Sequence, residues 1–233
     1  MNNSFYKKFQ FKIGFKKKII SLIKKKIFTK IFRNFYSNLN IVLPVNDKVL
    51  KEYIIDKIYE EDITKLISFL SKNKYNDFLI DIGANFGLTS CQNGNKFKFV
   101  HLYEPNRECI NLLKINLSLN FLNNNYQIHP YGLGEKNHKT ILNIPKYNYG
   151  GAFVLDKNNS YNLKILSQKD GFNSINMKNY YHIPIVIKDA KLEFKKIFKE
   201  FKIKKFNYGI IKIDVEGYES IILKIYQKFI PRI

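Results

Sequence analysis

Apolar positions along this chain recur in two periods, and the exchange between them predicts alternating helices and strands. Glu60 to Leu70 has helical spacing, with Ile63, Leu66, Ile67 and Leu70 on one side. Asn76 and Asp77 punctuate it before a short apolar run, Phe78–Ile82, that reads as a strand. A short helix follows from about Phe86 and is ended by Asn93-Gly94-Asn95. Lys98–Glu104 is a second strand, Arg107–Leu119 a helix with Ile110, Leu113 and Leu117 inward, and Tyr126–Pro130 a third strand. Between 135 and 190 the rhythm breaks. There, KTILNIP (139–145) and YYHIPIVI (180–187) read as strands of an insertion, with a glycine loop at Tyr149–Ala152. Leu192–Phe201 is helical, Gly209–Val215 is a fourth core strand, and Ser220–Lys228 is a last helix. Such alternation implies α/β architecture, a parallel sheet covered on both faces.

Residues 1–36 stand apart, holding eleven Lys and Arg and no acid. Ile19, Ile20, Ile23, Ile27, Ile31 and Phe35 recur at helical spacing, with lysines crowding the other face. This predicts a basic amphipathic arm (1–36) ahead of a catalytic-size domain (37–233), joined by a connection around Pro44, Asn46 and Asp47. Three uses are open for the arm: peripheral contact of residues 15–35 with an anionic membrane face, packing on the domain, or RNA binding. The net charge of +21 suggests an anionic partner, although a composition rich in Lys, Asn, Ile and Phe and devoid of Trp gives the same result through AT-rich coding bias. Cys91 and Cys109 are too few for a disulfide framework or a zinc site, which fits a reducing cytoplasm. No run approaches the roughly 18 apolar residues of a membrane span.

Three strand-like runs end in carboxylates: IDIGANFG (80–87), LYEPN (102–106) and IKIDVEGYE (211–219). Their order would gather Asp81, Glu104, Asp214 and Glu216 at one sheet edge, where open α/β folds bind ligands. Gly83 and Gly87 permit a tight strand-to-helix turn, but Asn85 occupies the second glycine position of a dinucleotide fingerprint. Asp81 would repel a pyrophosphate and favour an ammonium or sulfonium, which points away from NAD and towards S-adenosylmethionine. Glu104 lies about 20 residues after Gly83, the spacing of an acid that accepts from ribose hydroxyls. In the third run, strand alternation puts Lys212 and Asp214 on one side, with Glu216 on the turn at Gly217. Neighbouring carboxylates there can poise a general base, with Lys212 offsetting their repulsion. The competing account is helix capping, which would explain Glu216 or Glu219 but not Asp214.

The ordered set DIGANFG, YEPN, GLGE, NYGGAF and IDVEGYE resembles the FkbM family of S-adenosylmethionine-dependent methyltransferases over about residues 54–230. The resemblance implies a class I, Rossmann-like methyltransferase fold with a β-rich insertion. It implies O-methylation of a hydroxyl on a sugar, glycan or related metabolite. By the same resemblance Asp81, Gly83, Asn85 and Gly87 hold the methionine end and Glu104 the ribose. Gly132, Leu133 and Gly134 lie near the adenine, Gly150-Gly151 borders the acceptor pocket, and Lys212, Asp214 and Glu216 face the transferred methyl. No metal is expected.

The chain stops at Ile233, so only four core strands are expected, ordered 3-2-1-4, with the fourth an apolar edge. Either a truncated product or completion by a homodimer partner accounts for that. Two rival functions remain: a cofactor-binding remnant without turnover, and an RNA methyltransferase. The second is disfavoured because DVEGY stands where base-amine methyltransferases carry an Asn/Asp-Pro-Pro-Tyr/Phe run.

Overall fold

β1 (Phe78–Ile82), β2 (Phe99–Tyr103), β3 (Tyr126–His129) and β8 (Gly209–Ile213) form a parallel sheet in the order β3-β2-β1-β8. This is the predicted 3-2-1-4 winding. The computed structural model describes residues 40–44, 47, 53, 58–121, 125–159, 161, 164–166 and 176–229. The basic arm expected over 1–36 lies outside them. Residues 38–233 make one compact unit.

Alternation along β1 and β2 separates two cores. Phe78, Ile80, Ile82 and Tyr103 face one side, where they meet α4 (Ala190–Lys204), α5 (Glu219–Tyr226) and a second sheet. Leu79, Val100 and Leu102 face the other, against α2 (Leu88–Asn93) and α3 (Arg107–Asn120). Ile110, Leu113 and Leu117 are buried, as their spacing predicts. The second sheet is the predicted insertion: β4 (Gly132–Gly134), β5 (His138–Pro145), β6 (Phe153–Val154) and β7 (Tyr180–Asp189), ordered β4-β7-β5-β6. β4 pairs with only Ile187–Asp189 of β7, so Pro184 lies where β5 is its sole strand neighbour among the described residues. β8 pairs with β1 on one edge, and all five of its residues are half-buried.

The stripe on α1 (Glu61–Lys72) differs from the prediction. Ile67 is buried, but Ile63 is 40% and Leu66 53% exposed. The helix turns a polar seam inward instead: Thr64 Oγ1 accepts from Gln92 Nε2 at 3.2 Å, and Ser71 is buried. Residues 40–42 clip onto α3, with Val42 N donating to Asn116 Oδ1 at 2.7 Å and Asn116 Nδ2 returning a bond to Val42 O at 3.1 Å.

A buried polar chain crosses the larger core. The Tyr131 hydroxyl donates to Glu193 Oε2 at 2.8 Å, so its oxygen accepts from His129 Nδ1 at 3.0 Å. That leaves His129 Nε2 to accept from His101 Nδ1 at 3.0 Å. The far nitrogen of His101, Nε2, is buried without a hydrogen-bond partner, so a proton added there has no acceptor. Burial accordingly holds both imidazoles down to about 4, below their ordinary 6.5. The unfolded chain binds more protons than the folded one between these values, so stability is lost as pH falls from 6.5 towards 4. Chemical denaturation across that range should show the loss, with a shallower slope for His101→Phe, which removes one of the two groups.

Candidate active site

The carboxyl ends of β1, β2 and β8 open into a cavity of about 420 Å³, a size ordinary for small-molecule sites. Gly83, Asn85, Glu104, Gly132, Leu133, Lys212, Asp214 and Glu216, all read from sequence as site residues, line it. Asp81 and Gly87 do not. The glycine loop Tyr149–Gly151 and Phe153 of the insertion form another wall.

Gly83 begins the turn after β1 at φ +83°, and a Cβ there would sit 1.9 Å from the Asp214 carbonyl oxygen. The backbones of the first and third signatures therefore touch, and only glycine permits it. Gly83 N and Ala84 N both donate to Tyr103 O at 3.0 Å, tying the turn to β2. Gly87, also at φ +83°, is a packing residue, since a Cβ would lie 2.4 Å from Leu113 Cδ1.

Glu104 is fully enclosed, and each of its oxygens is oriented by backbone. Oε2 accepts from Asn85 N at 2.8 Å and Oε1 from Asn106 N at 2.7 Å. Burial raises its pKa to about 7, partly offset by those two N–H groups. Each oxygen keeps a further lone pair, so the carboxylate can still receive two donors. Asn85 adopts the left-handed conformation at φ 49°, and its Oδ1 accepts from Cys109 Sγ at 3.1 Å.

Asp81 is placed differently from the direct ligand contact expected of it. β1 alternation sends its side chain to the α2 face, where Oδ2 accepts from Ser90 Oγ at 2.7 Å. Lys212, its register partner on β8, lies between Asp81 Oδ1 and Asp214 Oδ2, 3.3 Å from each. The contact with Asp81 Oδ1 is electrostatic, without an aligned hydrogen bond. Burial pushes the Lys212 ammonium down, but attraction from Asp81 and Asp214 outweighs it and raises its pKa above the ordinary value. Asp214 is half exposed at the cavity mouth (51%), so it does not belong to a buried strand as the sequence implied. Glu219 opens α5 without capping it: no side chain caps that helix, and the Glu219 carboxylate instead ties down the preceding turn, accepting from Val215 N at 3.2 Å and Gly217 N at 3.0 Å.

Sequence reasoning missed the residues that brace the Glu216–Tyr218 turn. Asn159 Nδ2 donates to Val154 O at 2.8 Å and Glu216 O at 2.9 Å, and the Tyr218 hydroxyl donates to Asp156 Oδ2 at 2.6 Å. Tyr218 sits inside the quoted IDVEGYE run, but nothing in DKNN (156–159) marks it as a brace. Asp47, placed in a connection, is buried and accepts from Tyr149 N at 2.7 Å.

The family model described as "Methyltransferase FkbM domain" matches residues 81–233. The chain belongs to the FkbM methyltransferase family. No curated protein matches this FkbM-family chain. Among solved structures, a methyltransferase FkbM from Methylobacillus flagellatus is similar at 16% identity, over 66% of this chain and 29% of that one, with a TM-score of 0.34. The precorrin 8w decarboxylase of Methanobacterium thermoautotrophicum matches at 24% identity over 29% and 37%, with a TM-score of 0.26. Protein arginine methyltransferase 10 of Arabidopsis thaliana matches at 10% over 79% and 52%, also with a TM-score of 0.26. The chain thus spans less than two thirds of the length of each of these structures. Among the described residues there is no group of three or more metal-ligating side chains, and no helix is long and apolar enough to cross a membrane.

Two glycines of this FkbM site should respond very unequally to a methyl group. Gly83→Ala meets backbone at 1.9 Å with a positive φ, whereas Gly150→Ala meets only side-chain ends, Asn85 Nδ2 at 3.3 Å and Asn148 Oδ1 at 3.7 Å. Thermal or denaturant melts should register a loss of about 2 kcal/mol or more for the first. The second should stay within about 1 kcal/mol.

Proposed function

We propose that this chain binds S-adenosylmethionine and transfers its methyl group to a hydroxyl of a sugar, glycan or related metabolite. The observation that carries this reading is the convergence, in one cavity, of the Glu104 carboxylate and the Gly83 turn with Asp214 and Glu216. Glu104, oriented by two backbone N–H groups with lone pairs to spare, fits a ribose diol. The glycine turn and the acidic mouth fit a ligand with cationic groups. When bound, the cofactor supplies an electrophilic methyl on a positively charged sulfur.

The residues of the chain do the rest. Asp214 or Glu216 accepts the proton of the acceptor hydroxyl while the oxygen–carbon bond forms and the carbon–sulfur bond breaks, its electron pair staying on sulfur. Lys212, paired with Asp81 and Asp214, holds Asp214 at the mouth. The Tyr149–Gly151 loop narrows the approach, and alignment of this kind contributes several kcal/mol.

Calorimetry and transfer of labelled methyl test the reading together. The wild type should bind S-adenosylhomocysteine. Because Glu104 takes up a proton near pH 7, affinity should fall below that pH by up to about tenfold per unit and level off above it. Asp214→Asn or Glu216→Gln should retain ligand affinity while losing about 10²-fold or more of transfer. Normal transfer by both variants would refute the base assignment, and no binding by the wild type would refute the cofactor reading.

A further inference from the structure

We infer that the outer face of α4 (Ala190–Lys204) is a docking surface for an anionic lipid membrane. The inference is independent of the methyl-transfer reading, because none of the described residues that line the cavity belongs to α4.

Helical geometry divides α4 into two faces. Ala190, Glu193, Phe194, Ile197 and Phe201 are buried on the side packed against the larger core. At about 100° per residue, the opposite arc takes Lys191, Lys195, Lys196, Lys199 and Lys202 together with Leu192 and Ile203, and all of them are exposed. Leu192 and Ile203 lie near the centre line of that arc, roughly 16 Å apart along the axis, and are 55% and 73% exposed. Lysines flank them on both sides. None of the carboxylates in or beside the helix shares the arc. Asp189 caps the helix by accepting from Lys191 N and Leu192 N, Glu193 is buried against the Tyr131 hydroxyl, and Glu200 is held by Lys204 at 2.7 Å. None of the five lysines on the arc has an ion-pair partner among the described residues.

An anionic membrane is the partner this pattern fits. Lysines near such a surface gain from its negative potential. Their long stems let the ammonium groups reach the headgroups while Leu192 and Ile203 enter the acyl boundary. Nucleic acid would use the lysines but not the aliphatics. The arc offers it neither an arginine nor an aromatic ring on which a base could stack. The overall charge of +21 attracts any anion, whereas exposed aliphatics ringed by unpaired ammonium groups select a surface with an apolar layer beneath its charge.

Sedimentation of the full chain with lipid vesicles tests the proposal. One set is phosphatidylcholine alone, and the other is equal parts phosphatidylcholine and phosphatidylglycerol. The wild type should bind the anionic vesicles at least about tenfold more tightly than the neutral ones. Leu192→Ser combined with Ile203→Ser should weaken that binding by about tenfold. Lys195→Glu combined with Lys199→Glu should weaken it by about 10²-fold. Both pairs are exposed, so their melting temperatures should match the wild type. Lys114→Glu combined with Lys139→Glu makes the same charge change at exposed sites on other elements, and should stay within about threefold of the wild type. No binding of the wild type to anionic vesicles would overturn the proposal. So would wild-type binding by both α4 pairs, which would assign the contact to another part of the chain. Loss in the lysine pair alone, with binding of an RNA oligonucleotide lost in parallel, would assign the face to nucleic acid and overturn the proposal as well.

Discussion

The buried ammonium of Lys212, shared between Asp81 and Asp214, is the interaction on which the rest of the site depends. It joins β1 and β8 at one register position, Asp81 opposite Lys212, on the face away from the larger core. An unpaired Asp81 there would be prohibitive. Removing one partner of a buried ion pair commonly costs about 3–5 kcal/mol, because the remaining charge stays uncompensated. A slip of β8 by one residue would also turn Lys212 into the apolar core and bring Ile211 or Ile213 to Asp81. The ion pair therefore specifies the register, and the register puts Asp214 at the cavity mouth and its carbonyl against Gly83.

The inserted sheet supplies the other half of the cavity, held by hydrogen bonds as well as by packing. Asn159 bridges Val154 O and Glu216 O, and Tyr218 reaches Asp156, so the turn after β6 and the turn after β8 brace each other. The Tyr149 loop is tied by its backbone N–H to the buried Asp47. The reaction proposed above requires its base to be held within narrow limits. Here the turn that carries Glu216 is fastened from two directions.

Much of this was legible because strands buried on both faces leave few choices. The runs at 78–82, 99–103 and 209–213 are apolar throughout except where a polar residue has a partner, and their order fixed the winding. Glu104 was readable because its distance from the glycine turn is set by one βαβ unit. Two features were hidden. Asp81 looked like a ligand contact because its strand ends at the crevice, but pleating sends it to the opposite face, where Ser90 and Lys212 were waiting. The α1 helix misled in the other direction. Its aliphatic stripe predicted a buried face, yet the helix seats Thr64 and Ser71, through hydrogen bonds to Gln92 and neighbouring groups, and leaves Ile63 and Leu66 exposed. Side-chain hydrogen bonds between elements far apart in sequence leave no periodic trace, so Asn159 and Asp47 could not be found that way.

The most direct test of the central claim is a crystal structure of the chain with S-adenosylhomocysteine bound. The ribose hydroxyls should lie within hydrogen-bond distance of the Glu104 carboxylate, and the amino-acid end should lie over the Gly83–Gly87 turn. The sulfur should face Asp214 and Glu216, with Lys212 still between Asp81 and Asp214. A ligand seated elsewhere, or one whose ribose leaves Glu104 untouched, would contradict the account.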